Sequence, residues 1–283
     1  MSQPTYKDIG KSANDFIYKG YNIDVFKIDI KNFKNSKKPH EFSTSINHNF
    51  DSKVFESNIK FKYKLDQYQT IFGGKWSSKN VITASLELFD HIIKGLSVYL
   101  ESNYNLMNCN RSATIKIDCN TPLYRLSNKI NLTGNPILDS FFVMSNKNCV
   151  AGVHVTTDIN KKEIKSLDVC LSRTDNDYEI NSFIKNGIDY GGSFVYNLSS
   201  NFQVGGKVLI NQSIKTSSYC IGSKYNTTQD VTIKTKINND SRLFIAAKQR
   251  LTSAFSLMGT VNFSLFSLNY KPPKIGFCVE YYT

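Results

Sequence analysis

The side chains in this sequence that could do chemistry are few and poorly spaced for it. Four histidines, His40, His48, His91 and His154, form no HExxH pair and lie near no CxxC, so a zinc site has no support. Six cysteines, Cys109, Cys119, Cys149, Cys170, Cys220 and Cys278, are widely separated, and no secretory leader occupies the first residues, so reduced thiols are expected. There is no GxSxG elbow, no GxxxxGK phosphate loop and no GxGxxG after a strand. The pairs Gly73-Gly74, Gly191-Gly192 and Gly205-Gly206 invite a phosphate-loop reading, but within strands paired glycines more often mark bends or close backbone approach. Carboxylates such as Asp66, Glu87 and Asp118 could be gathered into an acid–base pair only by the fold. The expectation is a non-enzyme that uses neither cofactor nor metal.

What remains is positive charge. With 35 Lys and Arg against 23 Asp and Glu, the net charge is +12 and the pI about 9.3, which favours anionic partners: nucleic acid, acidic lipid, or dissolved anions in a pore. The lysines are scattered at alternate positions, as at Lys27, Lys31, Lys60, Lys62, Lys64, Lys116, Lys234 and Lys236, and not gathered in one arm. A soluble sheet with one solvated lysine face produces the same pattern. Nucleic-acid binding is disfavoured, because the lysines and aromatics of 60–63 come without an RNP1-like signature.

The elements that must position these lysines are strands. Ile59, Phe61, Tyr63 and Leu65 alternate with Lys60, Lys62 and Lys64, and this period of two recurs from Val25 to Tyr281. Strand-like stretches number near nineteen, among them 25–30, 54–65, 113–119, 231–237, 264–270 and 274–282, separated by turns such as Asp175-Asn176-Asp177 and Lys271-Pro272-Pro273. So many sequential strands suit a closed meander, since closure removes exposed edges. No linker or composition shift divides the chain, so residues 1–283 are read as one domain. No apolar run reaches the roughly 18 to 20 residues of a spanning helix, but a barrel strand crosses a bilayer in roughly 9 to 11 residues with only alternate positions apolar. Residues 4–19 differ. Tyr6, Ile9, Ala13, Phe16 and Ile17 recur at helical spacing, and Thr5 with Asp8 forms a capping pattern, so one amphipathic helix is expected over 5–19. A cleaved presequence would contain fewer acids than Asp8 and Asp15 supply.

The opening Pro-Thr-Tyr-Lys-Asp-Ile-Gly-Lys-Ser-Ala-Asn-Asp-Phe (residues 4–16), then Lys19-Gly20-Tyr21 and Lys27-Ile28-Asp29-Ile30-Lys31, resembles the start of the mitochondrial outer-membrane porins, the voltage-dependent anion channels. The likeness continues through Lys75-Trp76, Tyr190-Gly191-Gly192-Ser193 and the closing Gly276-Phe277-Cys278-Val279-Glu280-Tyr281, and it spans essentially the whole chain. The resemblance implies an all-β transmembrane barrel of about 19 strands over 25–282, with an N-terminal amphipathic helix inside the pore; the family number is itself 19, so the strand count and the resemblance are not independent. It further implies a voltage-gated, anion-preferring pore of the mitochondrial outer membrane, with membrane lipid, permeating anions and adenine nucleotides as partners, homo-oligomers left open, and no nucleic acid. By resemblance Lys11, Asp15 and Lys19 carry the helix charge and Lys27, Lys31 and Lys116 are wall cations. Alternation adds Lys60, Lys62 and Lys64 as water-facing. Ile9 is expected to dock near Val143, and Gly20 to serve as hinge. A related barrel for protein import or tethering is the runner-up, and a soluble basic β-protein the third reading.

The chain departs from the family pattern in places. The glycine-rich connector keeps only Gly20 in Gly20-Tyr21-Asn22-Ile23-Asp24, which predicts a firmly held helix. Gly74 stands where many members carry a lipid-facing acid. Gly95-Leu96-Ser97 replaces Gly-Leu-Lys, and 242–251 lacks a Gly-x-Gly tied to a nicotinamide nucleotide, so no cofactor is placed there.

Overall fold

Alternating sequences of this kind bury neither face completely, and they reach stability by pairing edge to edge until no edge is left. The structure, a computed structural model, describes residues 3–32, 39–91, 93–266 and 272–282. Its strands are β1 (Val25–Lys31), β2 (His40–Asn49), β3 (Phe55–Leu65), β4 (Thr70–Ser77), β5 (Val81–Phe89), β6 (Leu96–Asn105), β7 (Arg111–Asn120), β8 (Tyr124–Asn131), β9 (Ile137–Asn146) and β10 (Cys149–Asp158). They continue as β11 (Glu163–Thr174), β12 (Tyr178–Lys185), β13 (Asp189–Asn197), β14 (Phe202–Asn211), β15 (Thr216–Asn226), β16 (Val231–Asn238), β17 (Arg242–Arg250), β18 (Phe255–Ser264) and β19 (Lys274–Tyr282). Each pairs antiparallel with the next, and β1 closes the ring against β19 in parallel, with Phe26 opposite Phe277 and Lys31 opposite Tyr282. An odd number of meandering strands leaves one such parallel seam.

Register carries each face around the whole ring. Asp29 lies opposite Ser45, Ser43 opposite Lys60, Lys60 opposite Lys75, and so on through Lys116, Lys129, Asp139, Lys207, Lys236 and Cys278 back to Lys27. The opposite face presents residues such as Phe61, Trp76, Leu100, Ile117, Phe194 and Phe277, all exposed. At the paired strand positions this apolar face carries a charge only at Arg111 and Arg173, both at strand ends. A charge at the bilayer midplane would cost about 2 to 4 kcal/mol, so this face suits lipid and the lysine-bearing face is the lumen.

Two expectations are corrected. The single helix over 5–19 is a 3-10 turn, Tyr6–Asp8, followed by α1, Lys11–Tyr18. Ile9 is extended and Gly10 left-handed at φ 70°, a conformation glycine adopts without a Cβ penalty. The break turns Ile9 onto the wall. The stretch 264–270 is not a strand where it can be described: Ser264 ends β18, Leu265 and Phe266 form a bend, and 267–270 lie outside the described residues.

Candidate functional site: the pore wall and its N-terminal segment

The N-terminal segment is fastened to the lumen wall at both ends by different chemistry. At its start, the Gln3 N–H donates to the Asn120 side chain at 3.0 Å and Arg125 Nη1 donates to the Gln3 carbonyl at 3.0 Å. The Gln3 amide also donates to the Pro122 carbonyl and accepts from the Ser145 hydroxyl. Arg125 is itself positioned by Asp118, which accepts from the Ser127 hydroxyl at 2.5 Å as well. Thr5 donates through its N–H and its hydroxyl to the Asp8 carboxylate, at 3.0 and 2.6 Å. Those bonds, with Lys11 beside them, hold the Asp8 carboxyl below its usual range, the Thr5 hydroxyl contributing most. The Tyr6 ring lies 5.6 Å from both Phe141 and His154, and burial pushes its hydroxyl pKa well above the usual range. His154 stacks on Phe141 at 4.3 Å, with Asp139 and Asp168 at 3.4 and 3.3 Å from its two nitrogens.

The apolar stripe of the segment needs a dry seat in a wet lumen, and glycines provide it. A Cβ on Gly152 would lie 2.5 Å from Ile9 Cδ1 and 2.9 Å from Tyr6 Cδ2. Val143, directly opposite Gly152 in β9, is 1% exposed. Ile9 and Val143 therefore belong to one patch. Farther along, Phe16 lies over Gly205, where a Cβ would meet its ring at 2.8 Å, and Ala13 and Ile17 are fully covered.

The C-terminal end of α1 is held by wall lysines. Its last carbonyls carry partial negative charge and lack helical partners, which favours cations. Lys236 Nζ donates to the Ile17 carbonyl at 3.0 Å and Lys234 Nζ to the Lys19 carbonyl at 3.1 Å. Lys236 also lies 4.3 Å from the Tyr21 ring and 4.6 Å from the Phe244 ring, within cation–π range. Lys207 donates to Asn14 Oδ1 at 2.9 Å and lies over Tyr18. Ser12 bonds Glu179 on the same side.

The other expected residues fall as follows. Lys11 pairs with Asp8 at 3.1 Å and Lys19 with Asp15 at 3.5 Å, both along the segment. Lys27 and Lys31 flank Asp29 at 2.7 and 3.6 Å, and Lys116 lies 3.7 Å from Asp118. Lys60, Lys62 and Lys64 share the lumen face; Lys64 pairs with Asp66 at 2.7 Å, while Lys60 and Lys62 have no ion-pair partner among the described residues. Gly20 makes the turn out of α1 at φ 91°. Near it, Lys19, Lys27, Lys31, Lys224, Lys234 and Lys248 surround a cleft of about 450 Å³ that also contains Asp29 and Glu280. Asp29, Cys278 and Glu280 bring donor atoms within 4.8 Å of one another, but Lys27 and Lys248 already neutralise the two carboxylates, so this group suits ion pairing better than a metal. Gln3, Lys207, Lys234 and Lys236 escaped sequence reasoning as segment anchors. Alternation at Lys234 and Lys236 marks the lumen face, but nothing local marks a carbonyl more than two hundred residues away.

A wet tube lined by fixed charge passes solutes, and comparison with known proteins agrees. A profile of the eukaryotic porins matches residues 3–276. The chain belongs to the eukaryotic porin family. This porin is 29% identical over 265 residues to the probable voltage-dependent anion-selective channel of Caenorhabditis elegans, covering 94% of each chain. It is 26% identical over 282 residues to the voltage-dependent anion-selective channel of Drosophila melanogaster, covering 99% of each. To the non-selective voltage-gated ion channel VDAC2 of Meleagris gallopavo it is 24% identical over 278 residues, covering 98% of this chain and 93% of that one. These relatives are named as channels, and the porin is a membrane-embedded channel barrel and not an enzyme.

Proposed function

We propose that this porin is a voltage-gated, anion-preferring diffusion pore of the mitochondrial outer membrane, passing inorganic anions and small metabolites including adenine nucleotides. The names of its relatives divide between anion-selective and non-selective, so the argument for anions rests on the wall. One observation carries it: the lumen face holds more Lys and Arg than Asp and Glu, including Lys60 and Lys62, which have no ion-pair partner among the described residues. Fixed charge raises the local concentration of counter-ions, and with a screening length of about 8 Å in physiological salt it biases a wide pore without closing it to the other sign. Voltage sensitivity has a source in the charged segment, since moving one elementary charge through 100 mV is worth about 2.3 kcal/mol. Lys11, Asp15 and Lys19 would carry that charge, and Gly20 would be its pivot. Single-channel recording in a salt gradient tests the reading: a reversal potential on the anion side is expected, and a zero or cation-side value overturns it.

A further inference from the structure

The connector between α1 and β1 is clamped at one end and free to turn at the other. At the clamped end it crosses the wall over Gly276, where a Cβ would collide with the Asn22 carbonyl, and the Asp24 N–H donates to the Ile275 carbonyl at 3.0 Å. At the other end Gly20 has a φ of 91°, a backbone state in which glycine alone turns without a Cβ penalty. Between them the wall presents a thioether. Met258, on the lumen face of β18 and opposite Cys278, accepts from the Asn22 side-chain amide through Sδ at 3.6 Å. Its Sδ and Cε lie 3.7 and 3.6 Å from where a Gly20 Cβ would stand. One side chain therefore forms the floor under both the turning residue and the anchored one.

A thioether sulfur is a weak acceptor, so this floor holds the connector lightly. It is also oxidisable. Met258 lines the lysine-rich cleft of about 450 Å³ together with Lys19, Gly20 and Asn22, which opens it to small oxidants dissolved in the lumen. Cys278, the other sulfur of the pair, is shielded at 3% exposed. Oxidation would exchange the weak acceptor for a polar sulfoxide oxygen. Donors are at hand on Asn22 and on Lys248, which lies opposite Met258 in β17. We propose that Met258 is an oxidation-sensitive latch for the connector, with hydroperoxides as its oxidant. The sulfur lone pair attacks the terminal peroxide oxygen, an S–O bond forms as the O–O bond breaks, and the proton passes to the leaving oxygen, which departs as water or an alcohol. The sulfur is oxidised, the peroxide is reduced, and the new oxygen holds the connector to the wall through Asn22. The effect on gating rests on the reading of Gly20 as the pivot of the segment.

The test treats the full chain with hydrogen peroxide and follows Met258 sulfoxide by mass spectrometry. A hydrogen bond gained net of water changes an equilibrium by about two- to ten-fold. Amide exchange over 20–22 should slow by that factor, and closure in planar bilayers should need a larger voltage at unchanged open conductance. Methionine sulfoxide reductases A and B, which leave oxidised cysteine untouched, should reverse both changes. Met107, 77% exposed in the turn after β6, and Met144 on the lipid face are oxidisable as well, so Met258→Leu isolates the site: it should remove both responses. Equal responses in Met258→Leu and the parent overturn the proposal. So does slowed exchange that persists in the parent after the reductases have restored Met258, a result that needs no variant. Slowed, reversible exchange with an unmoved closing voltage would support the latch and overturn Gly20 as the pivot.

Discussion

Lysines at alternate positions line both β3 and β16, yet the two sets meet different partners. Lys60 and Lys62 on β3 are exposed to the lumen with no carboxylate at hand among the described residues. Lys234 and Lys236 on β16 reach α1 and cap its carbonyls. The residue type, the spacing and the face are the same; the difference is what the N-terminal segment covers. It lies on the wall from the end of β7 to β10 and from β12 to β17, and leaves β3 to β6 bare. One side of the lumen leaves lysine charge open to the pore, and the other spends its polar groups on holding the segment.

Charge reversal on the bare side should break the comparison most visibly. Replacing Lys60, Lys62 and Lys75 together by Glu inverts charge at three lumen positions, of which none has an ion-pair partner among the described residues. The reversal potential should move strongly toward cations, most of all at low salt where screening is weak, with conductance retained. The same exchange at Lys31 and Lys116, each beside a buried aspartate, should shift it less. Equal shifts would mean that ion pairing does not mute the wall charges.

The covered side should fail in another way. Lys236→Met removes a bond to a helix carbonyl and three cation–π contacts, with Tyr18, Tyr21 and Phe244, together about 1 to 3 kcal/mol of docking. Amide exchange over 11–18 should quicken by about ten-fold and the voltage of closure should shift, while the reversal potential changes less than for the β3 and β4 triple variant. Spin labels on α1 that stay immobile in Lys236→Met would contradict the anchoring role.

The apolar seat comes next in size. Ile9→Ala removes a side chain that packs on Gly152 next to Val143, but in a wet lumen the loss should stay at or below about 2 kcal/mol. Gly152→Val should act more strongly, because its Cβ would stand where Ile9 and Tyr6 now lie. Voltage dependence in planar bilayers should change more than maximal conductance for both variants. An unaltered conductance–voltage curve for Gly152→Val would separate docking from gating.

Much of this architecture was legible from the chain. Two-residue alternation is a local property, so the strands and the facing of Lys60, Lys62 and Lys64 could be read directly, and the 19-strand closure followed with the help of the family resemblance. The break in the helix was harder, because Ile9 and Gly10 sit inside an otherwise regular apolar stripe. Only the position of Gly152 on the wall gives Ile9 a reason to leave helical geometry. The anchors were illegible for a similar reason: Lys236 and the Ile17 carbonyl are 219 residues apart, and loop closure through sixteen strands brings them together. Glycines were more legible, though not their partners. Gly205 reads in sequence as a bend or a close backbone approach, and it proves to be the floor beneath Phe16.

The smallest expected effect distinguishes the two ends of the segment by pH. Asp8 is held below its ordinary pKa by the Thr5 hydroxyl first, then by the Thr5 N–H and Lys11. A carboxyl depressed in the folded state contributes stability above its unfolded pKa, near 3.9, and that contribution disappears as pH falls through the folded value. Acid should therefore loosen the turn at Thr5–Asp8 while α1, held by lysines that stay charged in acid, remains seated. Because Asp8 is largely exposed, the change should be modest and confined to this end. Followed by NMR in micelles, the Thr5 amide proton should move upfield below about pH 4 as its hydrogen bond to the carboxylate weakens, with little change over 11–18. In Asp8→Asn the acid transition at Thr5 should be absent. A Thr5 transition that persists in that variant would show that Asp8 is not its source.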